Sequence, residues 1–248
     1  AVLSALVHKE DVLVVAPIAA LSRRLPPPKV FRERGFLLRP GNQVERDDVL
    51  ARLMELGYER VERVEGRSQF AVRGDIIDIF PLPAPRPIRL ELFDTTVDSL
   101  REFEPESQRS TARLGEAWIG PASETCLTPR EQAGALERLT ESASAYQKIL
   151  KERGLSGQAE RVRLRVEALV ERALEGLPEA RERLLPFAYK EGTTFVDYLP
   201  RDTLLFLDEP LQLVEEGRNF ERDLKNMQTR LLEEGSLLPE EARLYNTL

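Results

Sequence analysis

Between residues 58 and 93 polar and apolar side chains alternate with the period of two that marks strands half in and half out of a core. In the run 87–93, Ile88, Leu90 and Leu92 fall on one face, while Arg89, Glu91 and Phe93 fall on the other. Around residue 70, Phe70 and Val72 share one face and Ala71 and Arg73 the other. This pattern predicts strands over 58–64, 68–73, 75–80 and 87–93. Gly66 and Gly74 punctuate the first three, and the proline-rich run 81–87 is a loop. Ahead of them, Asp47 and Asp48 open a helix whose apolar residues are Val49, Leu50, Leu53, Met54 and Leu56, with Gly57 placed to stop it.

Past residue 128 the apolar period changes to that of a helix. Thr128, Pro129 and Glu131 form a capping-box signature. Leu136, Leu139, Ala143, Tyr146, Ile149 and Leu150 then keep helical spacing up to Gly154. A second helix is predicted over 159–174, spacing Val162, Val166, Leu169, Val170 and Ala173, and Pro178 starts a third. Two short, wholly apolar runs at 12–15 and 204–207 read as buried strands. A short helix over 18–24 leads into the triple proline 26–28, a stiff connector, and residues 220–232 read as a polar helical tail.

The chain has 248 residues, 42% hydrophobic and 32% charged, which predicts a soluble folded protein. No run approaches the ~18 apolar residues of a membrane span. The first eight residues have no basic stretch and no long apolar stretch, so they do not read as a signal peptide, and an internal part of a longer protein is expected. One cysteine, Cys126, and one histidine, His8, leave no internal disulfide, no zinc site and no base for a Ser/His/Asp or Cys/His triad other than His8. A reducing, cytoplasmic location follows as the expectation. The net charge of −7 divides into +3 over 1–35, −4 over 36–118 and −6 over 119–248, which argues against a broad nucleic-acid footprint.

No phosphate-binding G-x-x-x-x-G-K-[ST] occurs, so neither a nucleotide cofactor nor catalysis is expected of these residues. Asp208 and Glu209, after the apolar run 204–207, resemble the end of a Walker B strand that has lost its partner loop. Asp75 and Asp78 lie three apart on a predicted strand and point to opposite faces, which makes them poor partners for a metal; Asp75 reads as a turn residue beside Gly74. Trp118 reads as core and Cys126 as an inert buried thiol. The face carrying Arg73, Arg89, Glu91 and Phe93 has two readings. One is a solvated surface with Arg–Glu pairs. The other is a protein-binding face, since arginines and exposed aromatics are the side chains enriched at interaction hot spots.

The runs VRGDIIDIFP, IRLELFD, DSLREFEPESQRS and VDYLPRDTLLFLDEP resemble the UvrB-homology module at the front of the bacterial transcription-repair coupling factors. The likeness covers roughly residues 3–215 and is strongest over 68–111. UvrB, the ATP-dependent, helicase-like damage-verification subunit of the excision nuclease, is the alternative. Residues 106–110 (ESQRS), and Pro210 where UvrB continues its helicase motif, favour the coupling factors.

The resemblance implies an α/β fold: a degenerate RecA-like domain with an inserted small α/β domain that binds UvrA, and a helical segment. It assigns 1–35 to the end of RecA-like domain 1a, 36–118 to the inserted domain 2, and 119–248 to domain 1b with its strand and linker helix. It carries a UvrA-binding role onto Arg73, Arg89 and Phe93, the face already picked out by alternation, where Glu91 also lies. For the longer protein it implies an ATP-dependent DNA translocase that binds RNA polymerase and DNA. It also implies that a C-terminal domain masks the UvrA-binding face.

Overall fold

The computed structural model describes residues 2–9, 11–189 and 192–245. Three short helices come first: α1 (Val2–Val7), α2 (Ile18–Ser22) and α3 (Pro28–Glu33). Strand β1 (Phe36–Leu38) and helix α4 (Arg46–Glu55) follow. Next come β2 (Glu59–Arg60), β3 (Gln69–Arg73), β4 (Ile76–Ile79), β5 (Ile88–Phe93), β6 (Thr96–Phe103), β7 (Ser110–Arg113) and β8 (Ala117–Ile119). The remainder is helical: α5 (Pro129–Glu152), α6 (Ser156–Leu174), α7 (Pro178–Arg183), α8 (Leu185–Ala188) and α9 (Pro210–Glu233), with 3-10 turns at Phe195–Tyr198 and Glu241–Leu244. The chain divides into two compact units, 1–12 with 28–126 and 13–27 with 127–248. The first therefore takes in residues on both sides of 36–118.

In the first unit β2 to β7 form one sheet in sequence order, with β2 parallel to β3 and every other pair antiparallel. β1 and β8 pair separately. One face of the sheet is buried with α4: Leu53, Phe70, Ile77, Ile79 and Leu90 are all fully inaccessible. Helix α4 ends as its sequence requires. Gly57 takes φ +87°, the Gly57 N–H reaches the Met54 carbonyl and the Tyr58 N–H reaches the Leu53 carbonyl, which is the Schellman closure. A Cβ on Gly57 would lie 2.5 Å from Ser123 Cβ, so glycine is also demanded by the close approach of the chain leaving β8.

Strands β3, β4 and β5 fall within the runs that alternation predicts, whereas the run 58–64 forms a strand only over β2. Strand β6 escapes a period-two reading for a visible reason. Glu91 pairs with Ser99 but Leu92 pairs with Val97, so Asp98 is an extra residue in the ladder and the buried Val97 and Leu100 stand three apart. Asp75 sits in the two-residue β3–β4 turn after Gly74, which takes φ +60°. Trp118 is only partly buried, packed edge-on against His8, while Cys126 is buried.

The second unit is built on an antiparallel helix pair. Thr128 and Glu131 complete the capping box of α5, and Gln132 Nε2 donates to the Ala173 carbonyl, tying the start of α5 to the end of α6. Leu139, Ala143, Ala159, Val162 and Ala173 fill the seam, joined by Leu184, Phe187 and Leu238. The segment after α9 is pinned by a buried acid: Glu241 accepts from both terminal nitrogens of Arg165 and from the Leu238 N–H.

The apolar runs 12–15 and 204–207 are not the buried strands that their composition predicts. Neither forms a strand or pairs in a ladder, and Leu13 is 94% and Phe206 89% exposed. An apolar strand needs a ladder partner and cover on its faces, and neither sheet among the described residues offers one to either run. The class is α/β, and the sheets among the described residues are the six-stranded β2–β7 sheet and the β1–β8 pair.

Burial decides two contrasting outcomes. Leu90→Ala, at a fully buried site, should lower unfolding stability by about 2–5 kcal/mol in a denaturant titration. Phe206→Ala, in an apolar run that touches no core, should leave it within about 0.5 kcal/mol.

Candidate protein-docking face

The other face of the sheet divides into a closed half and an open half. Val64, Ala71, Phe80 and Phe103 make a second buried cluster on the closed half. The 61–67 loop and the 104–109 turn close over it. Arg63 Nη2 donates to the carbonyls of Pro105 (3.0 Å) and Glu106 (2.7 Å), and Gln108 Nε2 donates to those of Val64 (3.2 Å) and Pro105 (2.7 Å).

Asp78 stands at the centre of this face, 1% exposed, between Ile77 and Ile79 on β4. Its cross-strand partner on β5 is Arg89. Arg89 Nε donates to Asp78 Oδ1 at 2.7 Å and Nη2 to Oδ2 at 2.9 Å, a bidentate pair. The third nitrogen, Nη1, donates to the Gln108 carbonyl at 3.1 Å, and the guanidinium lies 4.7 Å from the centre of the Phe103 ring. Hydrogen bonding to Asp78 holds the Arg89 guanidinium above the usual arginine value.

Arg89 therefore shares a face with Arg73 and Phe93, as alternation predicts, but it is not one of their exposed neighbours. Its side chain is 15% exposed and committed on every nitrogen. Arg89 is thus held in the sheet rather than presented to solvent, and its loss would strand a buried carboxylate.

Arg73 is the open counterpart, with its side chain 54% exposed. Its Nη2 donates to Gln108 Oε1 at 3.1 Å and makes a longer contact of 3.4 Å to Asp78 Oδ2. Phe93 is 78% exposed at the tip of the β5–β6 hairpin, where Asp94 takes the left-handed turn position at φ +56°. Glu91 lies between them in sequence and in register: Arg73 faces Ile76, Ile76 faces Glu91, and Glu91 faces Ser99, whose hydroxyl donates to Glu91 Oε2.

Two residues central to this face escape sequence reasoning. Asp78 carries a readable signal, a lone acid between two isoleucines on a strand, and only the β4–β5 register reveals its partner. Gln108 carries none. It takes φ +60° in the 104–109 turn, and that backbone turns one side chain into a junction for Arg73, Val64 and Pro105.

Asp208 and Glu209 lie apart from this face in the sequence and in the second unit. Both are exposed, Glu209 takes φ +46°, and Pro210 begins α9 at the next residue. No group of three or more His, Cys, Asp or Glu side chains able to hold a metal occurs among the described residues, and none of their helices is long and apolar enough to cross a membrane.

Residues 36–124 match the family model described as the UvrB interaction domain, which spans the whole six-stranded sheet and the face just described. The likeness to known proteins extends well past these residues. The chain is 38% identical over 238 residues to the transcription-repair-coupling factor of Bacillus subtilis (strain 168), covering 96% of this chain and 20% of that protein. It is 31% identical over 248 residues to the coupling factor of Staphylococcus haemolyticus and 30% identical over 247 residues to that of Staphylococcus aureus (strain MRSA252), in both cases over 94% of this chain. The chain thus spans about a fifth of the length of the relatives it matches. The resemblance to the coupling factors read from the 68–111 motifs is borne out.

Within residues 36–124 the two arginines should separate cleanly by stability. Arg89→Ala should destabilise the fold by about 3 kcal/mol or more through the unpaired Asp78. Arg73→Ala should stay within about 0.5 kcal/mol. Chemical denaturation of the two variants beside the unsubstituted chain measures both.

Proposed function

We propose that this chain is the UvrA-recruiting module of a transcription-repair coupling factor, and that Arg73 and Phe93 are its principal contacts. The observation that carries the reading is the division of one sheet face into a closed half, knit by Asp78, Arg89 and Gln108, and an open half. The open half leaves a guanidinium and an aromatic ring to solvent inside a UvrB interaction domain. A guanidinium on a rigid strand can bind a carboxylate in two-pronged fashion, and an exposed ring supplies an apolar anchor. Arg89 and Glu91 belong to the same site in a different capacity: Arg89 fixes the sheet face from which Arg73 projects, and Glu91 sets the polarity between Arg73 and Phe93. The likeness to coupling factors supports a role in transcription-coupled excision repair.

In this reading the runs 12–15 and 204–207 are strands of a RecA-like sheet completed by the rest of a longer protein. Their exposed leucines, valines and phenylalanine support that assignment. Asp208 and Glu209 are then the remnant of a Walker B end without catalytic work. RNA polymerase, DNA and ATP-driven translocation belong to the longer protein, as does a C-terminal domain that masks the UvrA-binding face.

Purified chain and UvrA should form a complex in a titration. Arg73→Ala and Phe93→Ala should each weaken it by about thirtyfold at an unchanged melting temperature, the scale of a hot-spot truncation. Binding equal to that of the unsubstituted chain in both variants would remove this face from consideration. Calorimetric titration of the chain with Mg-ATP should give no saturable binding in the micromolar range, whereas a clear isotherm would restore a nucleotide site.

A further inference from the structure

One row of residues runs straight across four neighbouring strands on the same face. Asp78 on β4 faces Arg89 on β5, Arg89 faces Arg101 on β6, and Arg101 faces Arg113 on β7. Three arginines thus stand in register behind a single buried carboxylate. Like charges placed directly opposite on adjacent strands destabilise a sheet, so each guanidinium needs a counter-charge. Arg89 takes both oxygens of Asp78. Arg101 is held more loosely: its Nε donates to Ser99 Oγ at 3.4 Å and lies 3.8 Å from Glu91 Oε2, which also accepts from the Ser99 hydroxyl, so it has no bidentate carboxylate partner. Arg113 is exposed, and its guanidinium has no hydrogen bond or ion pair among the described residues. All four residues of β7 are exposed, and β7 is the last strand of the sheet, so the row ends at an open edge.

We propose that the docking face continues across the sheet to β7, where Arg101 and Arg113 bind carboxylates on an acidic protein surface. The proposal rests on the reading of this face given above and extends it beyond Arg73 and Phe93. Charge complementarity selects the occupant. Residues 36–118 are acidic overall, so the row is not a fragment of a generally basic surface. A protein carboxylate satisfies an arginine in two-pronged fashion, and a partner strip of acids would offset the repulsion along the row. A phosphate backbone fits less well, because Glu91 lies on the same face and would oppose it, and because nucleic-acid affinity needs more neutralised phosphates than two cations provide. The row is continuous with the Arg73–Glu91 row one step along the strands, so one partner can cover both.

The test is a titration of UvrA into the chain carrying Arg113→Glu, Arg113→Lys or the pair Arg101→Ala and Arg113→Ala, at low and physiological salt, with melting temperatures measured in parallel. The paired alanine variant should bind about tenfold more weakly and with a shallower dependence on salt. Arg113→Glu should do at least as much damage, while Arg113→Lys keeps most of the affinity. Arg113 is exposed on an edge strand, so its variants should melt with the unsubstituted chain. If Arg73→Ala weakens binding while all the Arg101 and Arg113 variants match the unsubstituted chain, the face stops short of β6 and the proposal is overturned, with the function reading intact. If the unsubstituted chain does not bind UvrA at all, that reading falls and takes this extension with it. If the variants lose affinity for plain duplex DNA and not for UvrA, the row serves nucleic acid and the proposal is overturned.

Discussion

A carboxylate buried between two isoleucines has to be neutralised where it stands, and the sheet face of this protein is arranged around that requirement. A carboxylate at this depth needs a partner held in fixed geometry. Register supplies one, because the β4–β5 pairing puts Arg89 directly opposite. The planar guanidinium then covers both carboxylate oxygens and keeps one nitrogen for the Gln108 carbonyl. That last bond fastens the 104–109 turn over the sheet, and the turn in turn covers Phe103 and Val64. A single ion pair therefore decides which half of the face is closed, and by exclusion which half stays open to a partner.

The same arrangement explains why two arginines on the strands flanking β4 differ so much. Both lie near Asp78, yet the carboxylate has only two oxygens and Arg89 occupies them in the better geometry. Arg73, held by Gln108 Oε1 and a longer contact, keeps about half of its side chain in water. A guanidinium that is positioned but not used up is a good donor for a partner, because little side-chain freedom is lost when it binds. Phe93 is pre-placed in a comparable way by the tight two-residue hairpin that carries it.

Much of this was legible in the sequence, and the failures have physical causes. Alternation found β3, β4 and β5 and put Arg73, Arg89 and Phe93 on one face, because period two survives wherever no residue is inserted. It lost β6 at the extra residue Asp98. It could not tell an exposed arginine from a neutralised one, since that depends on which residue faces it across the ladder. Capping chemistry at Thr128 and Glu131 and the stop at Gly57 were readable because they are settled within a few residues. The runs 12–15 and 204–207 failed for the opposite reason. Composition reports what a segment needs, not whether these residues supply it, and here the need for a sheet partner is unmet.

An unmet need of either kind, apolar or ionic, says something about where contacts lie. Leu13 and Phe206 expose surface that water disfavours, and Arg101 and Arg113 expose charge that their own strand neighbours repel. A fold shaped for stability alone would have buried the first and balanced the second, since a glutamate opposite Arg101 would do so at no cost in packing. The two kinds of deficit differ in what they admit. Apolar strands accept only other strands or a packed surface, so they suit permanent contact within one protein. An arginine row on an open sheet edge accepts a charged surface reversibly, and its attraction reaches across several ångströms of water before contact. The apolar runs are therefore suited to completing a fold, and the Arg73–Arg113 side of the sheet to meeting a partner that arrives and leaves.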